Sequence, residues 1–150
     1  MMFEPPKFSI IMSVEQILLI SGSIIVGLMG LMHLLYTFFS NKFDTYDPQV
    51  KTAMQKTSPM ITKDTTMWKA WIGFNASHSL GPMFLAAFTI PLAYAHMPLI
   101  EGSLWFSVLP AVFGLSFLML AKKYWFKLPF IGILMATVCF ITAAILIHLR

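Results

Sequence analysis

Charge is scarce in this chain. Only 11% of its 150 residues are Asp, Glu, Lys or Arg, against about 25% in an ordinary soluble domain. With 58% hydrophobic residues and a mean hydropathy of +0.79, the composition points to an integral membrane protein. Cysteine is scarcer still. Cys139 is alone, which excludes an intrachain disulfide and a thiolate metal cage. Its place in a long apolar run reads as small core packing. Carboxylates are missing where chemistry would need them. No Asp or Glu lies in the apolar core of any run, Glu15 and Glu101 falling near the edges. Paired-carboxylate catalysis and a carboxylate proton relay therefore lack their residues. There is no glycine-rich phosphate loop, no G-x-S-x-G serine and no H-E-x-x-H pair. The net charge of +4 is not gathered into a basic patch with interleaved aromatics, so no nucleic-acid partner is expected.

What is present is long apolar runs. Residues 17–39 hold 23 residues without a formal charge, enough to cross a bilayer at about 1.5 Å per residue. The run exceeds the h-region of a signal peptide, and no A-x-A-like site follows it. Further runs cover about 67–95, 103–120 and 129–148. The expected fold is all-α: one domain, a transmembrane bundle of four helices. Residues 1–12, with Glu4, Pro5, Pro6 and Lys7, read as a short lead, and Met12 offers an alternative start. Between the first two runs, Asp47-Pro48 signals a helix start. Val50 and Met54 beside Lys51 and Lys56 suggest a short amphipathic helix on the membrane surface, with an irregular loop as the alternative. Asp64 is placed to cap the second span. Gly81-Pro82 should kink that span, and Pro91 also lacks a backbone donor.

Small residues recur at helical spacing: Ser23, Gly27 and Gly30; Ser107, Ala111 and Gly114; Gly132, Ala136, Cys139 and Ala143. Such stripes let membrane helices approach closely. The lysines set an orientation. Lys42, Lys51, Lys56, Lys63, Lys69, Lys122, Lys123 and Lys127 flank one side of the runs, and only Lys7 and Arg150 the other. Eight against two places both termini outside the cytoplasm. Trp68, Trp71, Tyr124 and Trp125 then form the cytoplasmic aromatic belt.

Polar residues within the runs are the candidates for function. The second run carries Asn75, Ser77, His78 and Ser79 together, and the first carries His33 with Tyr36 and Thr37 one turn on. His33 lies six residues before Phe39 and His78 seven after Trp71, so both sit roughly 9–10 Å inside one interface. The candidate ligand-binding set is His33, Tyr36, Trp71, Asn75, His78 and Ser79. Three readings stay open. In the first, the histidines do no more than lock the bundle by hydrogen bonds between helices. In the second, they line a site for a membrane lipid, another small hydrophobic ligand such as a quinone, or a partner helix. In the third, they hold a b-type haem axially. A membrane enzyme with His78 as acid/base is a fourth class. His96 lies 18 residues after His78, nominally on one face. The intervening prolines spoil that register, and a two-haem arrangement with His148 is not supported.

The segments H-L-L-Y-T-F-F (33–39) and M-W-K-A-W-I-G-F-N-A-S-H-S-L-G (67–81), with Tyr124-Trp125-Phe126, carry a resemblance. It extends from about Ile17 to Phe140. The chain resembles a family of small uncharacterised bacterial four-span integral membrane proteins. That resemblance implies the fold and an inner-membrane location, and it implies no activity.

The lysine bias yields a direct test. A reporter active only in the periplasm should work when fused after Arg150 and fail when fused near Lys56. The reverse pattern would overturn the orientation.

Overall fold

The computed structural model describes residues 12–149. The expected lead falls almost entirely outside the described residues, as do Lys7 and Arg150. Six helices and no strand occur among the described residues: α1 Val14–Phe39, α2 Pro48–Lys56, α3 Met67–Ala95, α4 Met97–Glu101, α5 Leu104–Tyr124 and α6 Lys127–His148. Helices α1, α5 and α6 are each long and apolar enough to cross a membrane. Helix α3 is the longest, at 29 residues, but Asn75, Ser77, His78, Ser79 and two prolines dilute its apolar run.

Local chemistry sets most helix ends. Ser13 and Gln16 form a reciprocal capping box at the start of α1, with Gln16 Oε1 accepting from Ser13 N at 2.8 Å. The amphipathic helix expected after Asp47 is present as α2. The Asp47 carboxylate accepts from Gln49 N at 2.8 Å, and Pro48 opens the first turn. The cap of α3 differs from expectation. Thr66, not Asp64, accepts from Lys69 N, while Asp64 pairs with Thr62. A threonine immediately before the first helical residue reaches the free N–H groups that Asp64, two residues earlier, does not. Helix α3 continues through Pro82 and Pro91, and α4 is a single short turn not expected from the apolar pattern. Helix α5 extends to Tyr124 and carries Lys122 and Lys123 in its last turn, where cations complement the helix dipole.

The long helices pack antiparallel. Helix α1 lies along α3 and α6, and α6 lies along α5. Between α1 and α3, Gln16 Nε2 donates to the Ala93 carbonyl at 2.9 Å at one end, and His33 meets Asn75 at the other. Between α5 and α6, Ser107 Oγ lies 2.8 Å from His148 Nε2. His148, near the end of α6, therefore ties two helices together.

The small-residue stripes mark these interfaces. A Cβ on Gly27 would stand 2.8 Å from Ala86 Cβ, and one on Gly30 only 2.7 Å from the Ser79 carbonyl oxygen. On the other contacts of the bundle, Gly114 meets Thr137 and Gly132 meets Met29. The tight fit of Gly22 against the fully buried Phe140 was not foreseen. Much of the outer surface is bare hydrocarbon. Phe74, Phe84, Leu104, Met119 and Leu128 are each at least 68% exposed, a surface suited to lipid rather than water.

These contacts predict unequal costs for one added methyl group. Gly30→Ala should lower thermal stability in detergent by about 1–3 kcal/mol, because a backbone carbonyl must give way. Gly27→Ala meets the Ala86 Cβ at 2.8 Å, an atom as fixed as the backbone, and should cost a similar amount, and Gly27→Leu more. Gly73 has nothing near its Cβ position, so Gly73→Ala should leave the melting temperature unchanged. Equal effects at Gly30 and Gly73 would remove the packing argument.

Candidate ligand-binding site

One turn beyond the Gly30–Ser79 contact, α1 presents His33 and α3 presents Asn75. The side chains meet, His33 Nε2 lying 3.0 Å from Asn75 Oδ1. The direction of this bond follows from its neighbour. The Asn75 amide donates through Nδ2 to the Trp71 carbonyl at 2.8 Å, so its oxygen faces His33 and the proton resides on His33 Nε2. Ser79 Oγ donates to the Asn75 carbonyl and Thr37 Oγ1 to the His33 carbonyl, each at 2.8 Å. Asn75 is buried. An amide or imidazole left unpaired in such surroundings would cost several kcal/mol.

The loop after α1 closes over this pair. Trp71 Nε1 donates to the Phe43 carbonyl at 3.0 Å, and the Phe43 ring lies 4.4 Å from that of His33. Trp71 thus acts through the loop: it holds Phe43 against the histidine.

His78 stands beside His33, ring centroids 5.3 Å apart and nearly edge-on at 65°. Its other neighbours are aromatic. Phe117 of α5 stacks on it at 5.3 Å, Trp125 meets it edge-on at 5.3 Å, and Phe74, one turn earlier on α3, lies parallel at 6.3 Å. His78 makes no hydrogen bond with another described residue. The site therefore contains one satisfied imidazole–amide pair and one imidazole whose nitrogens are uncommitted, walled by aromatic rings.

The residues expected from sequence separate into three groups. His33, Asn75 and His78 come together, with Trp71 holding the loop beside them. Ser79 is fully buried but bonds its own helix, and its backbone carbonyl forms the close contact with Gly30. It sets helix spacing and does not face the imidazoles. Tyr36 is exposed and makes no ring contact with another described residue. Four aromatic neighbours, Phe43, Phe74, Phe117 and Trp125, lie outside the set read from sequence. Phe43 is hidden in a loop, and Trp125 is assigned there to the interfacial belt. On α5, Ser116 is exposed and bonds the Val112 carbonyl of its own helix, while Phe117 beside it turns toward His78. A helix rotates about 100° per residue, so adjacent positions cannot both face the site.

The His33–Asn75 bond is testable by a double-mutant cycle in detergent. Asn75→Leu alone should destabilise by about 1–3 kcal/mol, since it strands the His33 donor. His33→Leu with Asn75→Leu should cost less than the sum of the two single changes, with a coupling of about 0.5–2 kcal/mol. Strict additivity would show that the two side chains do not bond.

Comparison with known proteins returns no match: no family model, no curated protein and no solved structure is similar to this chain.

Proposed function

We propose that this chain is a four-span protein of the bacterial inner membrane that binds a small amphiphile, a lipid or quinone-like molecule, at His78. Helix α3 supplies the fourth span in this reading. Its length, its antiparallel course along α1 and its exposed Phe74, Phe84 and Phe88 support that assignment. Lys69 is its single charge. The antiparallel packing gathers Lys42, Lys51, Lys56, Lys63, Lys69, Lys122, Lys123 and Lys127 at one end, which would face the cytoplasm, with both termini opposite. The histidine site then lies just inside the cytoplasmic interface.

The observation that carries the binding role is the uncommitted imidazole of His78 among Phe74, Phe117 and Trp125. A polar side chain at such depth is costly unless it has a partner. A ligand with a carbonyl or hydroxyl on a ring, or near the head of a lipid, would bond His78 and stack against the aromatic walls. A binding role fits better than a catalytic one, because no carboxylate, nucleophile or second uncommitted acid–base group with charge stands beside the imidazole. Axial haem ligation fits poorly. It needs an unprotonated Nε2 aimed at the metal, whereas His33 Nε2 carries a proton directed at Asn75. The Phe43 and Phe117 rings occupy the flanks of the two histidines. A partner helix is the remaining alternative occupant.

Trp125 provides a readout. Titration of the purified protein with a short-chain quinone should quench tryptophan fluorescence saturably. His78→Phe, which keeps an aromatic ring and removes both nitrogens, should weaken binding about tenfold, the loss of roughly one hydrogen bond. Non-saturating quenching, or equal affinity in His78→Phe, would overturn the quinone-like reading. A lipid that co-purifies with the wild type and not with His78→Phe would favour the lipid.

A further inference from the structure

A hollow lies at the turn between α5 and α6. It is shallow and open, about 210 Å³, and lined by Ala121, Lys122, Trp125, Phe126, Lys127 and Phe130. Two lysines and three aromatic residues thus border one hollow at the lysine-rich end of the bundle. We infer that this hollow binds the phosphate headgroup of an anionic membrane lipid, with Lys122 and Lys127 on the phosphate and Trp125, Phe126 and Phe130 against the glycerol and upper acyl carbons.

The charge balance argues for an anion. Lys122, Lys123 and Lys127 fall within six residues, and no Asp or Glu occurs anywhere from residue 102 to the chain end. Lys51 pairs with Asp44 in a different loop, and no described carboxylate pairs with Lys122, Lys123 or Lys127. A cytoplasmic location explains lysines at this end of the helices. It does not explain why two of them border a hollow lined by aromatic residues while the third, Lys123, lies over the ring of Tyr124 at 5.1 Å. The start of α6 and the carbonyl end of α5 both border the hollow, so their dipoles offset and the lysines supply the positive charge.

Size and surroundings narrow the class. The hollow is shallow and open, room for a headgroup and not for its acyl chains. The chains would lie outside, along Leu128 and Ile131, both exposed. Lysines near an anionic leaflet each strengthen binding roughly fivefold. The Trp125 indole is common to this hollow and the histidine site, but the ammonium groups are not, so the inference holds whatever occupies His78.

The full-length protein in detergent can be tested by native mass spectrometry with dioleoyl phosphatidylglycerol and dioleoyl phosphatidylcholine. Phosphatidylglycerol should be retained more strongly, and Lys122→Gln with Lys127→Gln should weaken it roughly 25-fold, fivefold for each lysine. Lys123→Gln should leave it within twofold of wild type. All three lysines are exposed, and an unchanged melting temperature will confirm that the variants are folded. Millimolar inorganic phosphate should not displace the lipid. If it does, the phosphate site stands but its ligand is free phosphate and the lipid assignment falls. Equal retention of phosphatidylcholine, or an equal loss in Lys123→Gln, would overturn the site.

Discussion

The structure depends on how closely α1 and α3 approach. Where Gly27 and Gly30 face Ala86 and Ser79, the absence of a Cβ lets one backbone touch the other. In lipid no hydrophobic force draws helices together, so close van der Waals packing must supply the attraction. The consequence appears one turn further on. Antiparallel helices in contact at Gly30 and Ser79 bring residues 33 and 75 to the same level, where a short amide can reach an imidazole. A wider crossing would leave His33 and Asn75 each exposed to hydrocarbon, at a cost larger than the bond itself contributes.

The same rule operates along the other contacts. Gln16 reaches the Ala93 carbonyl, and Ser107 meets His148. The hydroxyls of Thr37, Ser79, Ser116 and Thr137 bond carbonyls of their own helices, one turn back, as such residues do when no other partner is near. His78 departs from this pattern. It has an edge-on imidazole and three aromatic rings for neighbours, and none of them accepts or donates a conventional hydrogen bond to it. The Asn75 amide oxygen accepts from His33 and its amide nitrogen donates to the Trp71 carbonyl, while no described residue bonds the His78 ring. That difference in bonding separates a structural histidine from one available to a ligand.

Much of this was legible before any coordinates. Apolar runs of twenty or more residues can satisfy their backbone only as helices in lipid, so helical class and helix positions followed from composition. Matched distances of His33 and His78 from aromatic interface residues placed them at one depth. Depth along a helix is set by 1.5 Å per residue and survives packing. Rotation about the axis does not. A single residue turns the side chain by about 100°, which is why Tyr36 and Ser116 fall outside the site while Phe117 lies within it. Loop residues are less legible still, because Phe43 reaches His33 through the path of a loop that no periodicity describes.

The sequence by itself determined the solvent this protein is built for, the helices it forms, the end at which its lysines gather and the depth of its polar residues. Each of these follows from local composition and a fixed rise per residue. Only the tertiary structure decided which imidazole is satisfied and which is free, that Trp125 turns inward, and that Lys122 and Lys127 share a hollow. Those depend on which faces of different helices meet, and that is settled by where a missing Cβ permits two backbones to touch.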